Sequence, residues 1–229
     1  MDSHPLTDAP VPSPAKRERR KEARPGELLA AALELFVEKG FAAARAEEVA
    51  ARAGVSKGTL FLYFPSKEEL FKAVVRENIS GRFGEWNQQF QHYQGTSADL
   101  LRTCLALWWE RVGASKASGI SKLVISEARN FPDLAAFCQQ EVVQPCHDLV
   151  CRILQRGIER GEFRAVDVPY AAFNIMGPMV FLMMMKHSFG PCLPQEQRLD
   201  PQRFIDAQVD TLLRGLCVRE GAPAGAARQ

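Results

Sequence analysis

Between Ala46 and Phe71 the chain reads AEEVAARAGVSKGTLFLYFPSKEELF, and its breakers and apolar positions admit little besides two short helices joined by a tight turn. Ala46 to Ala53 contains no breaker and sets Val49, Ala50 and Ala53 on one small apolar face. Gly54 ends that helix, because a residue without a Cβ adopts the left-handed backbone needed past a C-terminus. Val55 plugs the space between the helices, and Ser56 is a natural N-cap for the second. That helix begins at Lys57, buries Leu60 and Phe64, and turns Lys57, Gly58, Thr59, Phe61, Leu62 and Tyr63 outward. Glycine inside a helix costs roughly 1 kcal/mol relative to alanine, so Gly58 asks for a reason such as close approach of its backbone to bases or phosphates. Pro65 stops the helix, and Ser66 with Glu69 reads as a capping box opening another. From Ala51 to Lys67 the charges are Arg52, Lys57 and Lys67, with no acid. The unit reads as one that docks on DNA.

The chain has 229 residues, 46% of them hydrophobic, and a formal net charge of +2. That is enough for one large or two modest cores of a soluble protein. The global charge does not argue for nucleic acid, so the case rests on the local segment. Residues 1–23 lack the apolar run of a signal peptide; four prolines and the basic run Lys16 to Arg24 predict a disordered basic leader. It is either an arm that reaches DNA or a solvated tail. The six cysteines form no C-x-x-C pair and fall in helical segments, which points to reduced residues of a cytoplasmic protein. Cys146 and Cys151 lie about 140 degrees apart around a helix, so Cys146, His147 and Cys151 do not make a metal site. No cofactor motif appears. No stretch reaches the roughly 18 apolar residues of a membrane span, since Ile175 to Met185 is short and holds Pro178; no membrane partner is expected.

Helical apolar spacing recurs at Leu28 to Phe36, Leu70 to Ile79, Leu100 to Val112, Ile120 to Ala128, Val142 to Ile158, Tyr170 to Met185 and Phe204 to Leu216, which predicts an all-α fold. Pro25 suits the first turn of the first of these, and Gly40 caps its end before Phe41 docks. The organisation expected is a DNA-binding domain over 24–70, a larger helical domain over 71–219 for ligand binding and dimerisation, and a flexible tail over 220–229. The helix from about Leu70 crosses the boundary and would transmit movement between them. In the second domain Trp108, Trp109, Arg129, Phe131 and Met176 are candidates for a ligand pocket, although each aromatic also suits a core, and Glu127 and Arg129 suit either a pocket or the surface. Met179, Met183, Ile205, Val209, Leu212 and Leu213 suggest a helix pair that meets its own copy in a two-fold four-helix bundle; an intrachain hairpin is the alternative.

The runs AAALELFVEKGF and EEVAARAGVSKGTLFLYFPSKEELF resemble the TetR family of bacterial transcriptional repressors at the family's own spacing, over about Arg24 to Glu77. KLVISEARNFPDL and NIMGPMVFL look like its AefR-like branch. The resemblance implies a homodimer on a palindromic double-stranded DNA operator, released when a small apolar or amphipathic effector binds the second domain. It sets the DNA contacts on Arg45, Ser56, Lys57, Gly58, Thr59, Phe61, Leu62, Tyr63 and Lys67, with Lys57 and Gly58 at base edges and Thr59, Tyr63 and Lys67 at phosphates. Two positions depart from the family. Phe61 stands where a tyrosine is usual, and Arg45, which cannot accept a hydrogen bond, stands where Thr or Ser often caps the second helix, a loss of about 1 kcal/mol that a phosphate contact would offset. An alternative places control in oxidation of Cys104 or Cys146. An all-helical enzyme is remote, because no phosphate loop, nucleophile elbow or metal-spaced cluster is present.

Overall fold

The computed structural model describes residues 14–217, and among these every regular element is a helix apart from one antiparallel bridge between Phe163 and Cys217. Helices α1 (Pro14–Ala43), α2 (Ala46–Arg52), α3 (Lys57–Tyr63) and α4 (Lys67–Asn78) form the first part. They are followed by α5 (Phe83–Gln91), α6 (Ser97–Trp108), α7 (Gly119–Glu127), α8 (Pro132–Cys138), α9 (Gln144–Glu159), α10 (Val168–Met184) and α11 (Pro201–Leu216). The all-α expectation holds. Two short helices, α5 and α8, were not foreseen, because each shows only a turn or two of apolar spacing.

The expected leader needs correction. α1 runs back to Pro14, so Pro25 lies inside the helix and not at its first turn. Every residue from Ala15 to Arg24 is Ala, Lys, Arg or Glu, all strong helix formers, and that local preference prevails over the proline. Residues 1–13 and 218–229, with the rest of the leader and the tail, lie outside the described residues.

Gly40 breaks α1 as expected: its φ of 82° and ψ of 168° turn the chain before Phe41. After α2, Gly54 takes φ 67°, and the N–H groups of Gly54 and Val55 donate back to the carbonyls of Ala51 and Ala50 at 3.1 and 2.9 Å. This is the paired closure that glycine permits after a helix. Ser66 Oγ accepts from the Glu69 N–H at 3.1 Å, but the Glu69 carboxylate pairs with Lys72, so the predicted capping box is half made.

Two cores result. The first joins α1 to α4 with α7 and α8 around Phe36, Phe41 and Phe71, whose ring centroids lie 5.5–5.6 Å apart. Phe131 adds an edge contact to Phe41 at 4.8 Å, so this core extends from the first part of the chain into the second. The other core packs α6, α9, α10 and α11 around Leu101, Ile153, Leu154, Ile175 and Leu182. α4 crosses residue 70 as expected but stops at Asn78. The two parts are further tied by a bidentate pair from Arg76 to Glu141, at 2.7 Å for the shorter contact.

The continuous helical stretch Val168–Cys192 is long and apolar enough to cross a membrane by length and composition, where none was expected. α10 owes this to two apolar faces. Its inner face supplies Ala172, Ile175, Met179 and Leu182 to the second core, and its outer face carries Tyr170, Phe173 and Phe181.

Candidate nucleic-acid interface and cavity

Leu60, fully buried, pins α3 against the first core, and Ser56 Oγ caps the helix by accepting from the Thr59 N–H at 3.1 Å. Ser56 Oγ also lies 2.9 Å from Thr59 Oγ1, so these two hydroxyls are engaged with each other. Lys57, Gly58 and Leu62 face outward, Leu62 being 85% exposed. Phe61 and Tyr63 are half-buried and pack against the first core. A Cβ on Gly58 would meet nothing nearer than Ser56 Oγ at 3.8 Å. No contact among the described residues therefore calls for glycine there.

The local positive charge read from the sequence is largely answered in three dimensions. Arg52 makes a two-pronged pair with Glu38 at 2.9 Å for each contact. Lys57 reaches Glu47 at 2.5 Å and lies 5.8 Å from the Phe61 ring centre; its ammonium holds the Glu47 carboxyl below the usual carboxylate range. Lys67 also departs from expectation. Its ammonium donates to the carbonyls of Phe41, Ala42 and Ala44 at 2.8, 3.3 and 3.1 Å and lies over the Phe41 ring. An ammonium has three N–H donors, and those carbonyls occupy all three, so Lys67 braces the turn between α1 and α2. Arg45 is exposed and forms no side-chain cap, as expected, while the Glu48 carboxylate accepts from its backbone N–H at 3.3 Å.

That same turn is gripped from its other side. Glu127, at the end of α7, accepts the backbone N–H groups of Phe41 and Ala42 at 2.8 and 3.0 Å. Gly40 makes this possible by turning successive N–H groups toward one point, and its own Cβ position would strike the Glu127 carboxylate. Glu127 thus has a function in neither of the places expected for it, pocket or free surface. Arg129 is exposed.

Between α5, α6, α9 and α10 lies a cavity of about 450 Å³. Trp86, Leu105, Trp108, Val150, Met176 and Met179 are among its lining residues. Trp108 and Met176 were expected there; Trp109, Arg129 and Phe131 are elsewhere. Trp109 instead packs over Gly113 and under Lys186, and Phe131 covers Phe41. Sequence reasoning missed Phe83, Trp86 and Phe90, although their spacing of three and four residues marks one helix face. Cys104 and Cys146 also border the cavity. Burial pushes Cys104 up to about 11 and Cys146 up to about 12.

The residues expected at a dimer interface are mostly spent inside the chain. Met179, Met183, Ile205, Val209 and Leu213 are all buried, and Leu212 is half-buried. Met179, Ile205, Val209 and Leu213, with Leu212 packed against them, lie on the inner faces of the α10 and α11 hairpin, and Met183 faces Ser121 on α7. The outward stripe of α10 is Tyr170, Phe173, Gly177 and Phe181, with the three aromatics 73%, 52% and 51% exposed. Periodicity identified an apolar helix but not which apolar face a neighbour in the same chain would cover.

Comparison with known proteins returns the same two parts. A family model for bacterial regulatory proteins of the tetR family matches residues 28–74, and one for a tetracyclin repressor-like C-terminal domain matches residues 94–191. The HTH-type transcriptional activator FasR of Mycolicibacterium smegmatis is 30% identical over 161 residues, covering 68% of this chain and 70% of FasR. The HTH-type transcriptional regulator RutR of Escherichia coli is 44% identical over 72 residues, 31% of this chain and 34% of RutR. The chain therefore spans about a third of the length of the first curated relatives it matches. The crystal structure of the transcriptional regulator FadR from Bacillus subtilis in complex with stearoyl-CoA aligns with a TM-score of 0.61 at 19% identity, covering 83% of this chain and 98% of that one. At that identity the likeness is one of fold.

Proposed function

We propose a function from one premise: the chain belongs to the TetR family of bacterial regulatory proteins. It is a cytoplasmic repressor that binds a palindromic operator as a homodimer and leaves it when a small apolar effector fills the cavity between α5, α6, α9 and α10. The observation that carries the reading is the outward face of α3. There no contact among the described residues requires Gly58 to be glycine, and Leu62 is left almost wholly to solvent. A major groove would supply both reasons, with the backbone at Gly58 close to base edges and Leu62 or Phe61 against a thymine methyl. Lys57 exchanges Glu47 for DNA, Thr59 and Tyr63 take phosphates, and Arg45, which caps nothing, takes another.

The outer face of α10 supports the homodimer. Tyr170, Phe173 and Phe181 form an apolar stripe that a second copy would cover, and Gly177 between them lets a helix approach closely. Two-fold symmetry then sets the recognition helices roughly one DNA turn apart, about 34 Å. The cavity is the effector site because it is large, apolar and walled by helices that connect through α7 and Glu127 to the turn before α2. The complex of FadR with stearoyl-CoA supports an apolar occupant. Control by thiols has less support, because Cys104 and Cys146 hold their protons far above neutrality and offer little thiolate to an oxidant.

The test is selection of double-stranded DNA from a random pool by the purified protein. An inverted repeat, bound with an affinity that falls steeply with salt, supports the reading. Recovery of no preferred sequence overturns it.

A further inference from the structure

We infer that the cavity selects an uncharged apolar molecule bearing a hydrogen-bond acceptor, such as a ketone or an ester, that Trp86 donates to that acceptor, and that free carboxylates are rejected. The inference rests on the reading of the cavity as the effector site and adds the chemistry of the occupant.

The first observation is the lining itself. Among the described residues, none that borders the cavity is Lys, Arg, Asp or Glu. Two arginines that lie against its lining rings are committed elsewhere. Arg152 lies over the Phe90 ring and bonds Asn87 and the Asp148 carbonyl. Arg156 lies over the Tyr93 ring and donates to Ser97 and to the carbonyls of Tyr93 and Gly95. Each guanidinium lies against an aromatic ring that itself borders the cavity. A carboxylate drawn into such a space would lose its water and gain no counter-charge, which is the costly case of burial.

The second observation is Trp86. Its side chain borders the cavity, the residue is 92% buried, and the indole Nε1 is buried with no hydrogen-bond partner among the described residues. An indole N–H can only donate, and a buried donor without a partner is destabilising. An acceptor on the occupant would satisfy it. Of the polar residues at the border, Gln89, His92, Gln94 and Thr103 are exposed and Tyr93 is half-buried, so the mouth is polar while the interior near Leu105, Val150 and Met179 is apolar. At about 30 Å³ per water, 450 Å³ is the space of roughly fifteen water molecules, which suits a ligand of about a dozen heavy atoms.

The experiment measures Kd by calorimetry on the full chain with three probes: methyl octyl ketone, decanoate at pH well above its pKa, and naphthalene as an apolar molecule without an oxygen acceptor. The ketone is expected to bind on the order of a hundredfold more tightly than decanoate. Trp86→Phe is expected to weaken the ketone about fivefold and to leave naphthalene within twofold. Decanoate binding as tightly as the ketone overturns the charge selection. Equal effects of Trp86→Phe on ketone and naphthalene overturn the role of the indole, and binding of none of the three overturns both. These outcomes are separable from the regulatory reading. A ketone that binds as described but does not release DNA contradicts that reading alone, whereas DNA release by decanoate contradicts this inference alone.

Discussion

Glu127 accepts the backbone N–H of Phe41 at 2.8 Å across 86 residues of sequence, and its second oxygen takes the next N–H at 3.0 Å. The contact binds the end of α7 to the turn that leads into α2, directly opposite Lys67, which holds the carbonyls of the same turn. Glu127→Ala leaves two donors without partners. Hydrogen bonds to a charged group contribute about 1.5–3 kcal/mol each when buried, and this site is half-buried, so a loss of about 2 kcal/mol is expected. For a chain of this size that lowers Tm by roughly 4–8 °C. Operator binding by the variant should also respond less to an effector. A variant with parental Tm and parental response would show that the contact carries neither stability nor coupling.

Much of this was legible in the sequence. Gly54, Ser56 and Pro65 are punctuation whose meaning is local, and each acts in the fold as its chemistry dictates. The cavity and the partner faces were less legible, because they depend on which elements meet. Trp108 and Trp109 are adjacent and alike in type, yet only Trp108 borders the cavity. Lys57 and Lys67 were both expected at DNA, Lys57 at base edges and Lys67 at a phosphate, but Lys67 is spent on carbonyls of the turn that Gly40 opens, 27 positions upstream. Residues such as Glu47 and Glu38 pair with the cations of the reading unit from outside the segment whose charge was counted.

The Lys57 to Glu47 pair sets a second expectation. Both side chains are 55% exposed, so the pair adds little to stability, but on the proposed reading of α3 it would compete with DNA for the ammonium. Glu47→Gln should therefore bind operator several-fold more tightly at low salt, with unchanged Tm. Weaker binding by this variant would mean that the carboxylate positions Lys57 for DNA and does not compete for it.

Stability should also fall on mild acidification. His187 Nε2 lies 2.7 Å from Ser118 Oγ, and desolvation, followed by the charges of Lys186 and Lys122, lowers its pKa from the ordinary 6.5. The folded protein thus resists a proton that the unfolded chain accepts. The contribution is complete above pH 6.5 and is lost as pH falls below it toward the folded value. Glu38, Glu47, Glu48 and Glu141 are held below 4.5, so their stabilising contribution is present throughout this range and is lost only as pH falls below 4.5. Tm measured from about pH 7 to pH 5 should decline for the parent and much less for His187→Gln. Parallel curves for the two would remove His187 from the account.

The two faces of α10 predict opposite phenotypes. Phe181→Arg places a charge on the exposed stripe and should yield folded monomers by analytical ultracentrifugation. Met179→Ala, inside the core, should keep the dimer while lowering stability by about 2–5 kcal/mol. If Phe181→Arg remains dimeric, the copies meet elsewhere.

The most direct measurement is operator affinity by fluorescence anisotropy, with Tm in parallel, for Lys57→Ala and Gly58→Ala. Neither residue is buried, and a methyl group at Gly58 has open space in the free protein. The account predicts unchanged or slightly raised Tm for both. It also predicts at least about a tenfold loss of operator affinity, with the salt slope of Lys57→Ala shallower by about one. Parental affinity in both variants would contradict α3 as the element that reads DNA.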